Sequence, residues 1–245
     1  MQRVRIDLAY NGKAYFGWQR QPKQISVQEV IEDCLYKLYQ EFIPIVGCGR
    51  TDTGVHAHFY VLHTDIDEQK YTLTDLKYKL NKMLPGSISI FKIQEVDQTF
   101  HARFHAVERT YRYFVHQEKN PFLADTSLFL GQPIDFKKMN LAAERILGKK
   151  DFTSFSKLHT DVHTNICDVR EAIWVEYDES KWYFQISADR FLRNMVRATV
   201  GTLLEVGYGK LNDTDIDLII EKQNRGDAKT SVPAHALFLW DVKYS

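Results

Sequence analysis

An α+β fold, with two halves on one continuous sheet and a cleft between them, is the architecture this sequence predicts. Three observations carry it. Strand-like alternation and helix-like periodicity take turns along the chain instead of segregating. No Pro-, Gly- or Ser-rich linker separates the halves, which divide into residues 1–105 and 106–245. Apolar residues make up 44% of the 245, enough for one large domain or two small ones.

The elements follow in order. Val4, Ile6, Leu8 and Tyr10 alternate with polar residues and predict a strand. Asn11-Gly12 turns the chain into an aromatic-basic loop, Tyr15 to Gln21. Ser26 and Glu29 form a capping box, and apolar residues from Val27 to Phe42 recur at helical spacing. A glycine-rich loop, 47–57, leads into a strand around Phe59 to His63. Thr72 and Asp75 cap a second helix, which Pro85-Gly86 stops, and Ile88 to Val96 suggest another strand. In the second half, Tyr111 to Val115 read as a strand, and Leu141 to Leu147 as a short helix ending at Gly148. Val169 to Tyr177 and Trp182 to Ile186 form a hairpin. Phe191 to Val206 is a long helical pattern, Ile216 to Ile220 a further helix, and Leu237 to Val242 a closing strand.

Composition excludes several classes. Lys and Arg number 32 against 32 Asp and Glu, with a pI of about 7.1, so the chain is no generic nucleic-acid coat. A polyanionic partner would be met by local basic patches. No apolar run is long enough for a membrane span, and the alternating N-terminus is no signal peptide. Cys34, Cys48 and Cys167 form no C-x-x-C pair. That usage suggests a reduced, cytoplasmic setting without disulfides or a cysteine zinc site.

Three segments could carry chemistry. Gly49-Arg50-Thr51-Asp52-Thr53-Gly54 places a lone acid two residues after a lone arginine in a glycine-rich loop. Such a loop lets another surface approach and lets the arginine fix the carboxylate; a simple turn with a surface charge is the alternative. It lacks the Gly-Lys-Ser/Thr of a phosphate loop. Arg103 to Tyr113 interleaves Arg103, Arg109 and Arg112 with aromatics, as where bases stack and phosphates are gripped, or as in a strand with one apolar face. Arg193 and Arg197, four apart, share a face if the helix runs from Phe191. His56 and His58 fall on one side of a strand, as metal ligands can, but no third ligand stands at a telling spacing.

Several stretches together resemble the tRNA pseudouridine synthase A family, nearly end to end. They are Tyr10-Asn11-Gly12 to Phe16-Gly17-Trp18-Gln19, Gly49-Arg50-Thr51-Asp52 with Gly54-Val55-His56-Ala57, and Phe100 to Phe104 with Tyr111-Arg112-Tyr113. Asp151 to Phe155, Phe191-Leu192 with Asn194 to Arg197, and Pro233-Ala234-His235 with Leu237 follow. Thr53 stands where the family usually has Ala, and Ser231-Val232 and Ala236 replace its Thr-Ala and Gly.

The resemblance implies two ferredoxin-like α+β halves, related by a pseudo-two-fold, sharing an extended mainly antiparallel sheet. It implies a homodimer acting on tRNA, isomerising uridines 38, 39 and 40 of the anticodon stem-loop without cofactor or metal. Asp52 would be the nucleophile or charge stabiliser, Arg197 its partner, and Arg50 an aid in displacing the base. Tyr111 would stack on the uracil, Leu237 would wall the pocket, and Arg103 and Arg109 would hold RNA. The same chemistry at other RNA positions, a non-catalytic tRNA-binding protein and a histidine-metal hydrolase are the rival readings.

Overall fold

Alternation at the start of the chain becomes strand β1 (Gln2–Tyr10). Val4, Ile6 and Leu8 on one face are fully buried, while Arg3 and Arg5 of the other face pair with Asp65 and Asp7. Helix α1 (Val27–Tyr39) starts where the Ser26 hydroxyl accepts the Glu29 N–H at 3.2 Å. It ends where Gln40 turns left-handed, so Phe42 falls outside the helix and is largely exposed, contrary to the periodicity. Strands β2 (Val46–Gly47) and β3 (His56–Ile66) follow, then α2 (Leu73–Met83) and β4 (Ile88–Glu95). Thr72 caps α2, accepting the Asp75 N–H and donating its hydroxyl to the Asp75 carboxylate. β1 lies antiparallel between β3 and β4, and β2 pairs antiparallel with the far edge of β3. The β-α-β-β-α-β chain order with spatial order β4-β1-β3-β2 is the ferredoxin-like arrangement.

The structure is a computed structural model that describes residues 1–157 and 164–245. It divides into two units, Met1–Val107 with Phe238–Ser245, and Glu108–Leu237. The second unit carries most of β5 (Ala106–His116), then β6 (Leu128–Phe129), α3 (Phe136–Glu144), β7 (Gly148–Asp151), β8 (Ile166–Asp178) and β9 (Lys181–Ala188). Helices α4 (Met195–Gly207) and α5 (Asp215–Glu221) complete it. Its strands run β5-β9-β8-β7, all antiparallel, with β6 parallel to β5. The path β5-α3-β8-β9-α4, with β9 between β5 and β8, repeats the path β1-α1-β2-β3-α2 of the first unit. Trp174, Phe184, Tyr113 and Ile186 form its core.

Three boundaries differ from the sequence reading. α3 ends at Glu144, and Gly148, at φ +90°, opens strand β7 instead of closing a helix. α4 begins only at Met195, because Asn194 is left-handed at φ 68°. Arg193 therefore precedes the helix, and the pair Arg193 and Arg197 shares no helix face. The closing strand β10 (Leu237–Tyr244) runs parallel to β3, with Phe238 opposite His56, which groups residues 238–245 with the first unit. That pairing joins distant parts of the chain, so sequence order alone assigned the strand to the second half.

A turn at residues 100–105 is built on histidines. The buried His63 accepts the Ala102 N–H at 3.1 Å, and His101 accepts those of Arg103 and Phe104 at 3.2 Å. Burial, with His101 and Arg3 nearby, lowers His63 from its ordinary 6.5 to about 4. A lowered histidine leaves the unfolded chain binding the extra proton between these values. The contribution is therefore complete above pH 6.5 and lost as pH falls towards 4. Its full size is about 3 kcal/mol. Urea midpoints should fall between pH 7 and pH 4.5. An NMR titration placing His63 above 6 would remove this explanation.

Candidate active site

The Asp52 loop is held from below by the N-terminal signature. Cys48 N–H bonds the Val61 carbonyl at 2.8 Å, extending the β2–β3 pairing into the loop. The Tyr60 hydroxyl donates to the Gly49 carbonyl, and the Tyr10 and Thr51 hydroxyls bond at 2.9 Å. Trp18 N–H donates to the Thr51 carbonyl, and Gly54 N–H to that of Tyr15, both at 3.3 Å. Asp52 is half-buried, and its own carbonyl accepts the Val55 N–H at 3.1 Å. Trp18 stacks on Tyr60 with ring centroids 4.1 Å apart, and Tyr10 packs against both. The loop thus rests on three rings.

Glycines make this seat possible. A Cβ on Gly47 would lie 2.1 Å from the Tyr60 hydroxyl and 2.7 Å from the Trp18 ring. Gly17 has φ +85°, and its Cβ would meet the Thr51 carbonyl oxygen at 2.4 Å. These glycines admit rings and backbone beneath the loop; the sequence had suggested room for a ligand above it.

His56 accepts the Gly12 N–H on Nδ1 at 3.0 Å and stacks on Phe238 at 4.5 Å. His58 stacks on Trp240 at 4.0 Å. Both rings have structural partners, and among the described residues no group of three His, Cys, Asp or Glu side chains could hold a metal ion.

In the second unit, strand alternation sorts the arginine-aromatic segment. Arg109, Tyr111 and Tyr113 face one way, Arg112 and Phe114 the other. Tyr111 meets Phe191 edge-on at 5.0 Å, and Arg109 donates to the Asp189 carbonyl at 3.0 Å. Arg112 instead bonds Gln185 at 2.6 Å and lies over Tyr183. Arg197, in the first turn of α4, donates its Nε–H to the Val232 carbonyl at 2.8 Å. Tyr113 donates its hydroxyl to the next carbonyl, Pro233, at 3.0 Å. Burial pushes the Tyr113 hydroxyl well up, so it stays a donor; the Arg197 charge opposes this only weakly.

Of the residues singled out in the sequence, Asp52, Arg50 and Arg103 lie in the first unit, and Tyr111, Arg109, Arg197 and Leu237 in the second. Arg50 is exposed on the loop. Arg103 is not in that loop: it is exposed in the histidine-built turn, its guanidinium over Phe104. Leu237 is buried at the head of β10. Sequence reasoning missed the supporting roles of Tyr10, Trp18, Tyr60 and Tyr113. The first two lay inside the recognised opening signature, which was the available signal. Thr53, the departure nearest Asp52, is exposed. Ser231 keeps the hydroxyl of the threonine it replaces, and that oxygen accepts the Asn194 side-chain N–H at 2.6 Å.

This is the mixed, mostly antiparallel α+β build with a buttressed aspartate loop, and sequence comparison gives it a class. The sequence model of the family described as tRNA pseudouridine synthase matches residues 8–105 and 142–245. The chain belongs to that family. A Bacteroides fragilis protein named tRNA pseudouridine synthase A is 50% identical over 244 residues, spanning 100% of this chain and 97% of its own. A Porphyromonas gingivalis protein of the same name is 48% identical, covering 100% and 98%. One from Bacillus pumilus is 37% identical, covering 99% of both.

Proposed function

We propose that this chain isomerises uridine to pseudouridine at positions 38, 39 and 40 of the tRNA anticodon stem-loop, as a cytoplasmic homodimer. The observation that supports this most is the Asp52 loop: a half-buried carboxylate on a backbone tied down by Tyr10, Trp18 and Tyr60. Full-length likeness to proteins named tRNA pseudouridine synthase A supports the substrate class.

The reaction breaks the N1–C1′ bond, turns the uracil, joins C5 to C1′, and moves a proton from C5 to N1. Atoms and electrons balance without any added reactant, so no cofactor or metal is required. The target base is stacked, so the nucleotide flips out at a cost of roughly a few kcal/mol. The Asp52 carboxylate attacks C1′ or C6, or stabilises positive charge at C1′; each role needs a fixed anion on a rigid support. Tyr111 stacks on the uracil, Leu237 gives it an apolar contact, and Arg197 brings positive charge to the reacting centre. Arg50 helps displace the flipped base, and Arg103 and Arg109 hold RNA phosphates, in a chain with no overall positive charge.

The test is to incubate the purified protein with an unmodified tRNA transcript carrying uridine at all three positions and to map pseudouridines chemically. Conversion at those positions is expected. Conversion elsewhere would overturn the site assignment, and binding without conversion would leave the non-catalytic reading.

A further inference from the structure

Arg197 does not hold its own position. Its Nε–H donates to the Val232 carbonyl at 2.8 Å, while its own carbonyl accepts the Val232 N–H at 3.2 Å. Val232 therefore clamps both the backbone and the side chain of Arg197. What fixes Val232 is a strap, residues 224–233, laid along α4. The strap comes so close to the helix that a Cβ on Gly201 would lie 2.0 Å from the Thr230 carbonyl oxygen. Lys229 N–H bonds the Thr202 hydroxyl at 3.2 Å.

One side chain organises that strap. Arg225, half-buried, donates to the carbonyls of Ala228 at 3.1 Å and Lys229 at 3.4 Å, and to the Ser231 hydroxyl oxygen at 3.0 Å. Asn194 donates to the same oxygen at 2.6 Å from the cap of α4, three residues before Arg197. The Ser231 oxygen has two acceptor sites, and two donors, one from the strap and one from the cap of α4, use them. Val232 is the next residue.

We propose that Arg225 and Asn194, acting through Ser231, are positioning residues for Arg197. They lock the strap against the first turn of α4, so the carbonyl that orients the Arg197 guanidinium is in place before substrate arrives. Nothing covalent is involved. The left-handed backbone of Asn194 belongs to the same device, because it ends the preceding segment and starts the helix beside Ser231. The departure at Ser231 is tolerated because the device needs an oxygen there and not the threonine methyl. The inference rests on the reading of Arg197 as a participant in the reaction.

The test compares Ser231→Ala, Arg225→Gln and Ser231→Thr with wild type on tRNA, measuring kcat, KM, salt dependence and folded fraction. Ser231→Ala and Arg225→Gln should lower kcat by about 10–100-fold and leave KM within about twofold. Ser231→Thr, which keeps the oxygen, should restore kcat. In an Arg197→Lys background, Ser231→Ala should add no further loss. Full kcat in Ser231→Ala and Arg225→Gln, with Arg197→Lys strongly but measurably impaired, would overturn the positioning role alone. A raised KM with a shallower salt slope and normal kcat in Arg225→Gln would also overturn it, because Arg225 would then grip RNA phosphate directly. Wild-type turnover in Arg197→Lys would overturn both this inference and the role given to Arg197.

Discussion

Asp52→Asn lowers pseudouridine formation by about 10⁴-fold or more while the protein folds and binds tRNA as before. The substitution keeps size and shape and removes the negative charge. Four of the bonds that seat the loop are made by other groups than the Asp52 carboxylate. Tyr60 holds the Gly49 carbonyl, Trp18 the Thr51 carbonyl, Tyr10 the Thr51 hydroxyl and Tyr15 the Gly54 N–H. Those four bonds remain in the variant, and Asn keeps an oxygen acceptor at the same place, so the loop should stay seated and thermal unfolding should shift little. tRNA affinity should also hold, because phosphate contacts dominate binding and Asp52 offers phosphate nothing attractive. Mapping of pseudouridines after reaction, filter binding and a thermal melt separate the three quantities. Turnover at the wild-type rate in the Asp52→Asn variant would end the assignment of Asp52 as the reacting group. A variant that lost binding as well would show the carboxylate to be structural.

Elements with a strong local signal were legible in the sequence. The alternation of β1, the Ser26 and Thr72 caps and the β8–β9 hairpin all lie where their residues indicated. The Asp52 loop was legible as a motif, though its support was not. Strand β2 has two residues, too few for alternation to register, yet it fixes the register of the loop by pairing Val46 with His63. The parallel pairing of β10 with β3 joins residues about 180 positions apart through a long crossover that no local pattern records. At Asn194 helical periodicity continues through a residue whose backbone is left-handed, so the sequence suggested a longer α4 and a false Arg193–Arg197 face. Where a local pattern existed and misled, as at Asn194, an unusual φ outweighs it; where none existed, as at β2 and β10, a long-range bond decides.

Gly17→Ala should be strongly damaging although the residue lies outside the Asp52 loop itself. The residue has φ +85°, where an alanine is strained by roughly 1–2 kcal/mol. Its Cβ would also come within 2.4 Å of the Thr51 carbonyl oxygen, which is backbone and cannot rotate aside. Relief requires the loop to rise off its ring bed, weakening the Trp18 N–H to Thr51 bond and the Tyr10–Thr51 contact one residue before Asp52. Strain and lost bonds together predict a destabilisation of about 2–4 kcal/mol. A shift of the carboxylate by about 1 Å would itself cost roughly 10²-fold in kcat. Gly86→Ala is the matched control, because nothing lies within 4 Å of its Cβ position and its effect should stay within about 0.5 kcal/mol. Urea unfolding and turnover measured on both variants decide the point. A Gly17→Ala protein with the stability and rate of Gly86→Ala would mean that the ring bed does not govern the placement of Asp52.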